Sequence, residues 1–165
     1  MPILTDGASE VFSNSAEQTR RLGMQLGELL GVGDVLWLEG DLGSGKTTLV
    51  QGIAAGWGSA DSVTSPTFVL VNIYRRPDRQ QLAHMDAYRL ESAEDAEQLD
   101  LEALIERGPL IVEWAPRIAA ALPAENLRLQ LTTLDETRRH ILMQPKGARY
   151  AQIAQAFKAA VYGNP

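Results

Sequence analysis

Gly40-Asp41-Leu42-Gly43-Ser44-Gly45-Lys46-Thr47 follows closely on a short apolar segment, Val35 to Leu38, and leads into one whose Leu49, Val50 and Ile53 recur at helical spacing. The octet carries two glycines separated by four residues, then lysine and a hydroxyl residue, which is the phosphate-loop pattern. The spacing has a physical cause. Phosphate oxygens need several backbone N–H groups converging on one point, which only a loop with few Cβ atoms allows, and the following helix adds its positive N-terminal end. Lys46 is one of only three lysines in the chain, and a glycine-rich turn that merely joined a strand to a helix would not require it. In this reading Gly40, Gly43, Ser44 and Gly45 cradle phosphate, Lys46 reaches the outer phosphates, and the Thr47 hydroxyl ligates magnesium.

Upstream of the loop, Ser15 with Gln18 resembles a capping box, and Leu22, Leu26, Leu29 and Leu30 fall on one face, which predicts a helix at about 15–30. The helix after the loop is expected to run from Lys46 to about Ala55, with Gly56 as its C-terminal cap. Downstream, Phe68 to Tyr74 and Gln81 to Asp86 read as a hairpin around an arginine-rich turn, Arg75 to Arg79. Alternation places His84 and Asp86 on one face of the second strand. A polar, acidic segment, Glu91 to Asp100, leads to a short helix through Leu101, Leu104 and Ile105, and Leu110 to Val112 is a short buried strand ending in Glu113. Pro116 to Ala121 suits one or two helical turns, Leu127 to Thr133 pairs with Arg139 to Gln144, and Ala148 to Ala160 is a final helix. The expectation is one α/β domain, residues 1–165, of the phosphate-loop NTPase type, with a mixed, mainly parallel central sheet and an antiparallel hairpin.

The composition bounds the function. At 165 residues, 45% hydrophobic and 22% charged, the chain is neither disordered nor fibrous. It has no cysteine, which excludes a disulfide scaffold, a thiolate metal site and a cysteine nucleophile. No apolar run approaches the roughly 20 residues of a membrane helix, and Met1 to Phe12 has no basic segment followed by an apolar one, so a cytoplasmic protein without membrane contact is expected. A net charge of −6 opposes unaided binding to nucleic acid.

Beyond the loop, Glu113 is the next chemical candidate, because an acid ending a buried strand can hold magnesium opposite the loop threonine. It can equally mark the point where a strand re-enters solvent. Asp86 and His84 could polarise a water or help hold the metal, although a strand with a solvated face would look the same. Glu39 adjoins the loop and reads as structural. Arg75, Arg76 and Arg79 could touch phosphate or a partner, or be simply solvated. Trp57 reads as core, and Trp114 is the tryptophan nearer the chemistry. The guanine-specifying Asn-Lys-x-Asp motif is absent, since no lysine follows an asparagine, which favours ATP. A small-molecule phosphotransferase with an arginine-bearing lid, and a non-hydrolysing nucleotide switch, are the rival classes.

GDLGSGKTT (40–48), TSPTF (64–68), HMDAYR (84–89) and IVEWAPRI (111–118), in that order and spacing, together resemble the bacterial TsaE family, also called YjeE. The resemblance spans most of the chain, from its first helix to the strand after Glu113. It implies a small ATPase in the biosynthesis of threonylcarbamoyladenosine beside the tRNA anticodon. In that family the transfer belongs to TsaD paired with TsaB, and the TsaE subunit binds the pair, hydrolyses ATP slowly alone and faster in the complex, and resets the pair between turnovers. It meets tRNA only through that complex. Carried over to this chain, Gly43 to Thr48 hold phosphate, Thr47 and Glu113 ligate Mg2+, and Lys46, Asp86 and Glu113 serve catalysis, Asp86 as a candidate for hydrolysis or for metal positioning. Thr64, Ser65, Pro66 and Thr67 match a nucleotide-sensing switch loop, Trp114 a tryptophan near the site, and Arg138 a position near the nucleotide. The chain departs from the family at Pro116, where many members carry an acidic or amide residue.

Overall fold

The computed structural model describes residues 7–64 and 71–163. The chain runs β1 (Ser9–Ser13), α1 (Ala16–Gly27), β2 (Val35–Gly40), α2 (Lys46–Trp57), β3 (Val71–Arg75), β4 (Gln81–Asp86), α3 (Ala93–Glu97), α4 (Leu101–Arg107) and β5 (Leu110–Glu113). It continues through a 3-10 helix (Ala115–Ala121), β6 (Asn126–Thr133), β7 (Arg139–Lys146) and α5 (Ala148–Tyr162).

Among the described residues the strands form one sheet in the order β1-β7-β6-β2-β5-β4-β3. The expected mixed sheet is found. Its four central strands, β6, β2, β5 and β4, are mutually parallel, while β1–β7, β6–β7 and β3–β4 are antiparallel. The parallel centre explains the unbroken apolar runs in β2 and β5, since strands covered on both faces have no solvated side to alternate toward. Val35, Leu36, Trp37 and Leu38 are all buried.

Alternation divides the core between the two faces of the sheet. Leu36, Leu38, Leu82, Ile111, Leu127 and Leu129 pack with residues of α1, α2 and α5, and Val35, Trp37, Ala83, Met85, Leu110 and Val112 pack with residues of α3, α4 and the 3-10 helix. The Arg128 guanidinium lies over the Trp37 ring at 4.9 Å and pairs with Glu39 at 3.2 Å, which gives Glu39 the structural role its position suggested.

On the first face α1 and α2 meet backbone to backbone. A Cβ at Gly23 would fall on the Leu49 carbonyl, at Gly27 on that of Ile53, at Gly52 on that of Arg20 and at Gly56 on that of Met24. Gly56 is therefore a packing residue and not the expected cap. The helix continues to Trp57, and Gly58, at φ 115°, turns the chain out of it.

The start of α1 is as expected: Ser15 Oγ accepts from the Gln18 N–H at 3.0 Å. Two elements were not anticipated. β1 is a five-residue edge strand of mixed composition, and α3 lies inside the acidic segment, capped by Ser92. The beginning of the expected hairpin, Phe68 to Leu70, lies outside the described residues. No described helix is long and apolar enough to cross a membrane.

Candidate functional site

The phosphate-loop octet bridges the carboxyl end of β2 and the start of α2. Gly43 and Gly45 take φ of 81° and 100°, a region that a Cβ disfavours. Gly45 caps α2 without a side chain, so no side-chain oxygen occupies the N–H groups of the helix's first turn. Ser44 is buried beneath the loop, and its Oγ has no hydrogen-bond partner among the described residues. Its backbone is tied down, with the Ser44 N–H donating to the Asp41 carbonyl at 3.0 Å.

Because β2, β4, β5 and β6 are parallel, their carboxyl ends share one edge of the sheet, where ligands of open α/β folds bind. A cavity of about 1500 Å³ opens there. It is lined by Gly40, Gly43, Gly45, Lys46, Thr47 and Thr48 of the loop segment, by Asp86 and Glu113 from the ends of β4 and β5, and by Trp114. Asp86 and Glu113 are direct register partners, so the two carboxylates that the sequence places 27 positions apart stand side by side.

Glu113 is buried, not solvated at a strand end. Its Oε1 lies 3.2 Å from Lys46 Nζ and its Oε2 2.7 Å from His84 Nε2. Burial pushes the carboxyl up, but the His84 hydrogen bond and the charges of His84 and Lys46 outweigh it and hold it below its ordinary value of 4.5. By linkage, the stabilisation from an ionised Glu113 is present above that ordinary value and lost as pH falls through the lower folded value. Glu113→Gln should therefore remove part of the acid-side loss of stability, measured as the slope of Tm against pH below about 4.5. An unchanged slope would show that the carboxylate does not carry it.

Asp86 shifts the other way. Burial, helped by the charge of Glu113, raises its carboxyl above the ordinary 3.8, even though Oδ1 accepts from the Tyr88 N–H at 2.8 Å. Two adjacent acids are thus pushed apart in affinity for a proton, the arrangement that separates acid–base roles.

The chain leaves β5 sharply. Trp114 adopts φ 60°, a left-handed conformation that costs a non-glycine residue energy, and this turns its ring out to the rim of the cavity. There it packs against Tyr88 with ring centroids 5.1 Å apart, and the Arg117 guanidinium sits 5.2 Å and 5.8 Å from the two ring centroids. Tyr88, Trp114 and the loop's Leu42 are exposed. Pro116 and Arg117 also line the cavity.

Arg138 does not line it. Its Nε is paired with Asp135 Oδ2 at 2.6 Å within the β6–β7 turn, because that carboxylate also collects the Thr137 and Arg138 N–H groups. Of the two adjacent arginines it is Arg139 that lines the cavity, and its guanidinium donates to the carbonyls of Ser44 at 3.0 Å and Gly43 at 3.2 Å. It ties the phosphate loop to β7. Nothing local in the sequence separates the two arginines; the hairpin register does. Of the switch-loop residues, Thr64 is described, and its carbonyl accepts from Tyr74 Oη at 3.1 Å, while Ser65, Pro66 and Thr67 lie outside the described residues. The arginine-rich turn is remote from the cavity lining: Arg76 folds over Trp57 at 4.3 Å and pairs with Asp78.

Strand, glycine loop, helix and the acid on the neighbouring parallel strand define an α/β protein of the phosphate-loop type. The family model described as "Threonylcarbamoyl adenosine biosynthesis protein TsaE" matches residues 13–141. The chain belongs to the TsaE family. It is 39% identical over 139 residues to the tRNA threonylcarbamoyladenosine biosynthesis protein TsaE of Streptomyces coelicolor, covering 80% of this chain and 93% of that protein. The protein of the same name from Treponema pallidum is 40% identical over 130 residues, with 78% of this chain and 95% of that protein covered. The crystal structure of Bacillus subtilis YdiB superposes with a TM-score of 0.75 at 30% identity, covering 93% of this chain and 96% of that one.

Proposed function

We propose that this chain is a magnesium-dependent ATPase that acts in the threonylcarbamoyladenosine modification of tRNA by binding the TsaD–TsaB transferase pair in the cytoplasm and supporting its repeated turnover. The observation that carries the ATPase reading is the Lys46–Glu113 ion pair on the wall of the phosphate-loop cavity. It stores a cation and an anion where a nucleotide phosphate and a metal would separate them. The names of the Streptomyces and Treponema relatives supply the tRNA modification.

The donor set fits magnesium. Magnesium keeps several waters and is held by one or two protein oxygens plus substrate phosphates. The Thr47 hydroxyl and Glu113 carboxylate would supply those oxygens, and the uncapped first turn of α2 leaves its N–H groups for the phosphates. An ion held by Thr47 and Glu113 would supply charge neutralisation to the transferred phosphoryl group. Lys46 exchanges Glu113 for the outer phosphates, and Arg139 holds the loop carbonyls so that its N–H groups keep their aim. Asp86, the carboxylate raised in proton affinity, orients the attacking water and accepts from it. Tyr88, Trp114 and Arg117, exposed at the Asp86 end of the cavity, form the surface through which a docked protein partner reaches the site.

Asp86→Asn should lower the rate of phosphate release about 10²-fold or more while ATP affinity changes less than about threefold. The wild-type rate should fall on the acid side at a pH above the ordinary aspartate value, since the working form is ionised and its proton affinity is raised. Equal losses in rate and binding would make Asp86 a ligand-binding or structural residue instead. The proposal as a whole is tested by phosphate release from ATP with and without the TsaD–TsaB pair, no phosphoryl acceptor being present. Stimulation by the pair is expected. A flat rate, or release that requires an added small-molecule acceptor, would refute it.

A further inference from the structure

Among the buried polar groups that the mechanism above does not use, His84 is the one bonded to a site carboxylate. His84 is completely buried; among the described residues its Nδ1 has no hydrogen-bond partner, and its one side-chain hydrogen bond is Nε2 to Glu113 Oε2 at 2.7 Å. An imidazole held this way loses stability relative to an apolar side chain of similar size, because one ring nitrogen is desolvated and unpaired. What it gains is control of a carboxylate. The two oxygens of Glu113 are divided, Oε2 to His84 and Oε1 to Lys46. Since an ionised carboxylate only accepts, Nε2 carries the hydrogen of that bond. The ring is fixed from behind by Tyr74, with centroids 6.4 Å apart, and from the strand by the register that sets β4 against β5.

We infer that His84 is a positioning residue: by occupying Oε2 it holds Glu113 in the one orientation that presents Oε1 to the phosphate loop, both when Lys46 is its partner and when a nucleotide-bound magnesium ion replaces Lys46. His84 itself does not ligate the ion. The inference rests on the ATPase reading and adds a donor that reading lacks. Groups that hydrogen-bond a metal's ligand change metal affinity by roughly 10- to 100-fold when removed. A lone Glu113, freed from Nε2, would rotate between its two oxygens and lose that share of its grip.

The test compares wild type with His84→Leu, which removes the donor at similar volume, and His84→Gln, whose amide nitrogen reaches toward the Nε2 position. The readout is the magnesium concentration for half-maximal binding of a fluorescent, non-hydrolysable ATP analogue, with thermal unfolding recorded alongside. His84→Leu should raise that concentration about tenfold or more with metal-free binding of the analogue unchanged, and His84→Gln should recover most of the loss. A wild-type magnesium requirement in His84→Leu would overturn the inference while leaving the ATPase reading intact. Absence of any magnesium-dependent binding in the wild type would overturn both.

Should His84→Leu fail to fold, a chain that keeps His84 still decides. The chain has two histidines, so His140→Gln leaves one imidazole signal, and the hydrogen-bonded Nε2–H resonance of His84 should persist when magnesium and the analogue are added together. Its disappearance would show that the bond breaks when the metal arrives, contrary to the inference.

Discussion

Lys46→Ala should abolish ATP turnover, lowering phosphate release by about 10³-fold or more, with the fold retained. Two effects combine. The substitution removes the only lysine among the described residues lining the cavity, and with it the charge proposed to stabilise the transferred phosphoryl group. It also leaves the buried Glu113 carboxylate with His84 as its only side-chain partner among the described residues, so a negative charge that had been neutralised now faces the incoming phosphates. Thr47→Ala should fall almost as far, through loss of an oxygen proposed to bind magnesium. Phosphate release at saturating ATP and magnesium, with circular dichroism as the control for folding, measures both. Activity above about a tenth of wild type in Lys46→Ala would remove the loop from the chemistry, since a single charge-stabilising donor is ordinarily worth more than that.

The largest effect on stability should come from a residue that touches no ligand. Gly52 lies where α2 presses against the backbone of α1, and a Cβ there meets the Arg20 carbonyl. Gly52→Val forces the helices apart and should cost about 3 kcal/mol or more, at the upper end of the range for overpacked cores. For a chain of this length that corresponds to a fall in Tm of roughly 6–12 °C. Because α2 carries Lys46 and Thr47 on its first turn, the same displacement should weaken ATP binding. Gly31→Ala is the matched control: the nearest heavy atom to a new Cβ is Asp34 Oδ2 at 4.0 Å, and the change should stay within about 0.5 kcal/mol. Equal melting temperatures for the two variants would mean that the helices can separate freely and that the close approach does not hold the loop in place.

Why the phosphate loop is legible in the sequence, and its partners only partly so, follows from the range of the interactions involved. The loop is a local object, with strand, glycines, lysine and helix contiguous, so spacing alone specifies it. Glu113 and Asp86 could be read as strand-end acids because the segments before them are apolar or alternating. Their adjacency is different in kind. It depends on β4 lying beside β5 in one particular register, which no local pattern encodes. The Lys46–Glu113 pair is likewise a product of the sheet order. His84 was visible as a polar residue on a strand, but alternation cannot distinguish a solvated face from one buried under a neighbouring ring. The same limit separates Arg138 from Arg139, two adjacent arginines whose roles are decided by where a hairpin turn ends and its strand begins.

At the level of the fold, a glycine's meaning was the least readable feature. Gly56 and Gly58 lie two residues apart near one helix end. Only the neighbouring helix shows that the first is there for close packing and the second for its positive φ. β1 escaped notice because an edge strand one face deep carries too short an apolar alternation to stand out, and it is specified chiefly by pairing with β7. The acidic composition around α3 likewise masked a helix whose only buried residue is Ala96.

The central claim joins ATP use at this loop to tRNA modification by a partner, and reconstitution tests that link directly. Purified TsaD–TsaB pair, substrate tRNA and excess threonylcarbamoyl-AMP would be combined with this protein, with or without ATP, so that ATP is needed only by the chain described here. The measurement is the number of modified adenosines formed per TsaD. The account predicts many rounds with the wild-type chain and ATP, and a yield near a single round when ATP is omitted or Lys46→Ala is used. An equal yield under all three conditions would contradict it.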